Sequence, residues 1–146
     1  MKLEDQVCSL DLAKKLKKLG VKQDGIWSWC CKNRKWSLEW SDSNEPIKAT
    51  EYASAFTVAE IGEMLPIAIN GGKAGKSISS ELLSLHKGTF GVDKNEPTKW
   101  QVMYCDVKWF NEIKEADARA KMLIYLFENH LIGDTSARSS NERDAA

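Results

Sequence analysis

Ile26-Trp27-Ser28-Trp29-Cys30-Cys31, Lys32-Asn33-Arg34-Lys35 and Trp36-Ser37-Leu38-Glu39-Trp40 follow one another without a break. The first block is rich in aromatic and apolar residues, as a strand should be. The second is polar and turn-forming. The third alternates strictly, with Trp36, Leu38 and Trp40 on one side and Ser37 and Glu39 on the other. The three together predict a β-hairpin, and its tryptophans dominate any reading of the chain.

Working outward, Ser9 caps a helix with Asp11 in its first turn and Gly20 just beyond it. Leu12, Ala13, Leu16 and Leu19 share one face at helical spacing. Lys14, Lys15, Lys17 and Lys18 are read either as the solvated face of that helix, favourable to its dipole, or as a nucleic-acid patch. After the hairpin, residues 41–48 read as loop and residues 52–56 as a possible short strand. Thr57 and Glu60 form a capping box. Val58, Ile61, Met64 and Leu65 give the buried stripe of the short helix that follows, and Pro66 ends it.

Ile67-Ala68-Ile69 starts a strand, residues 70–80 read as a Gly/Lys/Ser loop, and residues 80–85 read as strand or helical turn. Residues 100–109 alternate throughout and predict one long strand. A final helix opens at Glu112 or Glu115 and runs to about Leu131. Its stripe is Ala116, Ala120, Leu123, Phe127 and Leu131, broadened by Ile124 and Leu126, with Gly133 as its stop. The order α-β-β-α-β-β-α predicts an α+β fold, an antiparallel sheet with helices packed on one face. Residues 1–133 make one domain, and the polar segment 134–146 is expected to be disordered.

The 146 residues carry 21 basic and 21 acidic side chains, so bulk attraction to nucleic acid or membrane is not expected. No apolar run is long enough to span a bilayer, and the charged start Met1-Lys2-Leu3-Glu4-Asp5 lacks the apolar core of a signal peptide. Both point to the cytoplasm. Cys8, Cys30, Cys31 and Cys105 lack paired ligand spacing, so free thiols are expected and a structural zinc site is not. No cofactor is implied.

Gly71-Gly72-Lys73-Ala74-Gly75-Lys76-Ser77 approaches a phosphate-binding loop, but Asn70 stands where the first glycine belongs. No acidic strand end follows to hold magnesium. The segment is read as a basic hairpin loop whose Lys73 and Lys76 could contact an anion. Catalytic machinery is otherwise thin. His86 and His130 are far apart, and no nucleophile or metalloprotease motif occurs. The one thiol possibility is a lowered pKa at Cys30 or Cys31 beside Lys32 and Arg34. No catalytic residue is assigned.

Trp27, Trp29, Trp36, Trp40, Trp100 and Trp109 all fall on expected strands. They are either core or, on an uncovered sheet face near Lys32, Arg34 and Lys35, a stacking platform for a base or for a protein partner. The ligand-binding candidates are Trp27, Trp29, Arg34, Trp36 and Trp40, with Lys73 and Lys76 for phosphate. Exposed strand edges also suggest a homo-oligomer.

Residues 52–66, YASAFTVAEIGEMLP, and residues 115–126, EADARAKMLIYL, resemble segments of a group of short proteins of tailed bacteriophages and prophages. The start, Leu3-Glu4-Asp5-Gln6-Val7-Cys8-Ser9-Leu10, is also similar, whereas residues 70–98 are not. The resemblance implies an accessory protein acting in the cytoplasm of an infected bacterium. Such proteins are often counter-defence factors. Some sequester a nucleotide-derived immune signal, of the cyclic ADP-ribose or cyclic oligonucleotide type, without catalysis. The alternative is an interaction module that inhibits a host defence protein through the aromatic surface.

Overall fold

The computed structural model describes residues 2–41, 45–70, 80–88, 95–104 and 107–132. A 3-10 turn, Leu3–Asp5, leads into helix α1 (Leu10–Lys18). The hairpin follows as β1 (Trp27–Lys32) and β2 (Lys35–Trp40), then β3 (Glu51–Ser54) and α2 (Val58–Met64). Four more strands, β4 (Ala68–Asn70), β5 (Ser80–Gly88), β6 (Lys99–Tyr104) and β7 (Lys108–Glu112), precede α3 (Glu115–Glu128). The fold is α+β, as expected, and all strand pairs are antiparallel. The strands form two sheets rather than one, in the orders β2-β1-β3 and β4-β5-β6-β7.

The expected long strand over 100–109 is in fact the β6–β7 hairpin. Val107 N–H donates to the Tyr104 carbonyl at 3.1 Å and the chain reverses. The pairing Tyr104↔Lys108, Val102↔Phe110 and Trp100↔Glu112 explains why the alternation hid the turn. A three-residue connection keeps even-numbered residues on the same face in both strands. Val102 and Tyr104 are buried on that face, and Trp100 and Phe110 pack against the core beside them.

Helix α3 packs against that face, touching β6, β7, α2 and α1. Its buried residues are Ala116, Ala118, Ala120, Met122, Leu123, Ile124 and Leu126. That set is wider than the expected stripe because helices and sheet meet α3 from several sides. Helix α1 buries Ala13 and Leu16 and packs on β3 as well as α3.

Both long helices close with the same device. After α1, Gly20 takes φ +87°, with Gly20 N–H on the Lys17 carbonyl and Val21 N–H on Leu16. After α3, His130 takes φ +53°, with His130 N–H on Phe127 and Leu131 N–H on Leu126. These are Schellman caps, in which one left-handed residue turns the chain back onto the last carbonyls. Helix α3 therefore stops at Glu128, short of Leu131, and His130 does what was expected of Gly133. Thr57 and Glu60 form the expected capping box of α2.

Candidate binding surface

The hairpin turn places Asn33 at φ 52° and Arg34 at φ 61°. Two successive left-handed residues are the signature of a tight two-residue turn that matches the twist of its strands. The turn sets the register Trp27↔Trp40, Trp29↔Leu38 and Cys31↔Trp36. Trp27, Trp29, Trp36 and Trp40 therefore lie on one face, as the alternation predicts.

The four indoles do not form a common platform. The Trp29 Nε1–H donates to the Cys8 carbonyl at 3.0 Å, and the ring packs on the core. Trp36 is half-buried, with the Lys14 ammonium of α1 4.4 Å from its ring centroid. Trp27 is also half-buried. Trp40 alone is largely open, at 71 % exposure.

The expected cations are not beside it. Lys32 and Lys35 fall on the opposite face by strand alternation. The Lys32 ammonium is taken by Glu39 at 2.6 Å. That bond raises the Lys32 pKa and, with the Ser37 hydroxyl, holds the Glu39 carboxyl below its usual range. Arg34 is exposed at the far end of the hairpin, about 20 Å from Trp40 at the usual rise per strand residue. Lys73 and Lys76 lie outside the described residues.

Around Trp40 a cavity of about 680 Å³ opens between the segment before β1 and the one after β2. Ile26, which is 53 % exposed, Pro46 and Ile47 supply its apolar wall, and Asp24 and Glu45 its charges. A smaller cavity of about 180 Å³ shares Trp40, Ser41 and Glu45 and reaches Lys32 and Glu39. Asp24 also holds the exposed Lys22 at 3.1 Å. The larger cavity is thus an aromatic and aliphatic surface bordered by carboxylates, while the smaller one also carries Lys48. Sequence reasoning picked out Trp40 but missed Ile26, Asp24, Glu45 and Ile47. Their only advance signal was their position flanking the two strand ends.

A third cavity, of about 730 Å³, lies where residue 6 and α2 meet the start of α3. Its cation, Arg119, donates from Nε and Nη2 to Glu115 Oε1 at 2.9 and 2.6 Å. The guanidinium lies so close over Gly62 that a Cβ there would sit 2.6 Å from Nη1. This pair reads as a packed joint between α2 and α3.

Two of the thiols are buried and held protonated. Burial pushes the Cys8 thiol up to about 12 and also raises Cys30, next to the Glu39 charge. The lowered pKa considered for Cys30 is therefore corrected: desolvation outweighs the neighbouring lysine. Burial likewise pushes Tyr104 up to about 12, and its hydroxyl donates to the Pro66 carbonyl at 2.5 Å. Among the described residues no three His, Cys, Asp or Glu side chains gather as a metal-holding group, and no helix is long and apolar enough to cross a membrane.

The fold and this corner together define a two-sheet α+β protein with an exposed aromatic shelf at Trp40. Comparison with protein-family models, curated proteins and solved structures finds no match to this chain.

Proposed function

We propose that this chain is a non-catalytic binding protein that uses the Trp40 corner to engage and inhibit another protein. The observation that carries the reading is an indole 71 % exposed, continuous with Ile26, Pro46 and Ile47 and bordered by Asp24 and Glu45. Tryptophan anchors with a polar rim are what protein interfaces are built around. In the setting implied by the phage resemblance, the partner is a host defence protein met in the bacterial cytoplasm, and the chain is a counter-defence factor.

Sequestration of a nucleotide-derived signal is the second reading. The cavity of about 680 Å³ favours it, since that volume suits a small-molecule ligand. Phosphates would then need Lys48 of the smaller cavity, or Lys73 and Lys76, because the charges lining the larger cavity, Asp24 and Glu45, are negative.

The test uses immobilised chain, wild type and Trp40→Ala, exposed to candidate host defence proteins. A partner held by the wild type and released by Trp40→Ala, at unchanged melting temperature, supports the proposal. A rise in melting temperature with cyclic nucleotides would put sequestration first, since a ligand selective for the folded state stabilises it by mass action.

A further inference from the structure

The two sheets between them end in four terminal strands, β2, β3, β4 and β7. Terminal strands present unpaired backbone groups and are usually blunted or covered. β3 is blunted by side chains: the Lys17 ammonium takes the Tyr52 carbonyl at 2.6 Å, and the Gln23 side chain takes the Ser54 N–H at 2.8 Å. β4 has only three residues. β2 paired with a second β2 would set Lys35 against Trp40 and Trp36 against Glu39, with no charge match.

β7 is different. Its sequence Lys108-Trp109-Phe110-Asn111-Glu112 is complementary to itself when read antiparallel. The alignment that pairs all five residues sets Lys108 against Glu112 at both ends, Trp109 against Asn111, and Phe110 against Phe110. Opposite charges directly across a strand pair are favourable, and like charges are unfavourable. Among the described residues no carboxylate pairs with Lys108, whose ammonium rests over the Phe110 and Tyr125 rings at 5.4 and 5.6 Å, while Glu112 already holds the Lys121 ammonium of α3 and would share its carboxylate with Lys108 of the second copy. Trp109, on the face away from α3 with Met103, is 62 % exposed. In the self-paired register the two copies' Trp109 side chains become diagonal neighbours, within reach of one another.

We propose that β7 is a homodimerisation edge. Two copies pair antiparallel about a two-fold axis at Phe110, which joins their four-stranded sheets into one eight-stranded sheet. The arrangement is isologous, so one patch serves both subunits and the association closes at two. It stands apart from the Trp40 corner, which lies on the other sheet.

The test is sedimentation of the full chain over a range of concentrations, with a thermal melt for every variant. Wild type should dimerise reversibly. Lys108→Glu sets two pairs of glutamates face to face, and Glu112→Lys two pairs of lysines. Each variant alone should dissociate at least about tenfold more readily. Mixed in equal amounts, the two should recover association as a heterodimer, because every facing pair is again of opposite sign. A purely structural role for these residues would not give that recovery. Trp109→Lys, at an exposed position, should also favour the monomer and serves as the test if either charge variant fails to fold. A wild type that stays monomeric at its highest soluble concentration overturns the proposal. So does a mixture of folded variants no more associated than its components, or a folded Trp109→Lys variant that dimerises like wild type.

Discussion

The two sheets are built on the same alternation and use their aromatic residues in opposite ways. In β4-β5-β6-β7 the inner face is met by α3, so Tyr104 is buried and Phe110 packs edge-on to Tyr125 with ring centroids 6.2 Å apart. In β2-β1-β3 the tryptophan face is met from the β3 side by α1 and the residues before it. There the indoles grade from the anchored Trp29, through the lysine-covered Trp36, to the exposed Trp40. Alternation sorts side chains onto faces. What covers a face is decided by segments far away in sequence.

The largest expected effect tests that gradient within one face. Trp29→Ala should cost about 3–5 kcal/mol, as loss of a packed indole does, while Trp40→Ala should stay within about 0.5 kcal/mol of wild type. Equal losses in urea melts would break the distinction between anchor and shelf. On the other sheet, Leu123→Ala should cost about 2–5 kcal/mol, because α3 is packed on several sides and cannot collapse into the space. A loss under about 1 kcal/mol would show that the α3 side is not the tighter of the two.

Helix α2 links the sheets along the chain, between β3 and β4. Thr57 accepts the Glu60 N–H at 3.2 Å in its capping box. Thr57→Ala should cost about 1 kcal/mol, and a neutral result would show that the capping box does not stabilise α2. The smallest effect concerns the hairpin turn. Arg34 holds φ 61°, where a Cβ is unfavourable and glycine is not. Arg34→Gly should therefore stabilise the protein by up to about 1 kcal/mol. Destabilisation would mean that the Arg34 side chain contributes more than its backbone costs.

These contrasts mark how far the amino-acid sequence could be read. The hairpin register was legible because alternation and a polar four-residue break coincide. The starts of α1 and α2 were legible because Ser9 stands at the N-cap position of α1, though its side chain makes no capping bond, and Thr57 and Glu60 form a capping box. The β6–β7 turn was not, because an odd-length connection leaves the parity of the alternation intact. The end of α3 was misplaced because the left-handed position falls on His130, and a nearby glycine offered a more conventional stop. The candidate surface was half legible. Trp40 was among the candidates, but the partners that remove Trp29 and Trp36 are the Cys8 carbonyl and Lys14, which no local pattern connects to them. The cations failed for a different reason. Lys32 is the last residue of the aromatic strand, yet alternation puts it on the other face with Glu39.

The N-terminal segment has a further consequence. Ser9 N–H donates to the Asp117 carboxylate at 2.7 Å, and the Lys114 ammonium reaches the carbonyls of Glu4 and Val7 at 2.9 and 3.0 Å. These bonds join a segment to one synthesised 108 residues later. Sheet hairpins close locally, so β1 and β2 can pair while translation continues. The core around α3 cannot close until residues 114–126 have left the ribosome, and closing so long a loop is what slows folding in proteins with distant contacts. Until then, α1 waits with Ala13 and Leu16 uncovered by the helix that will bury them.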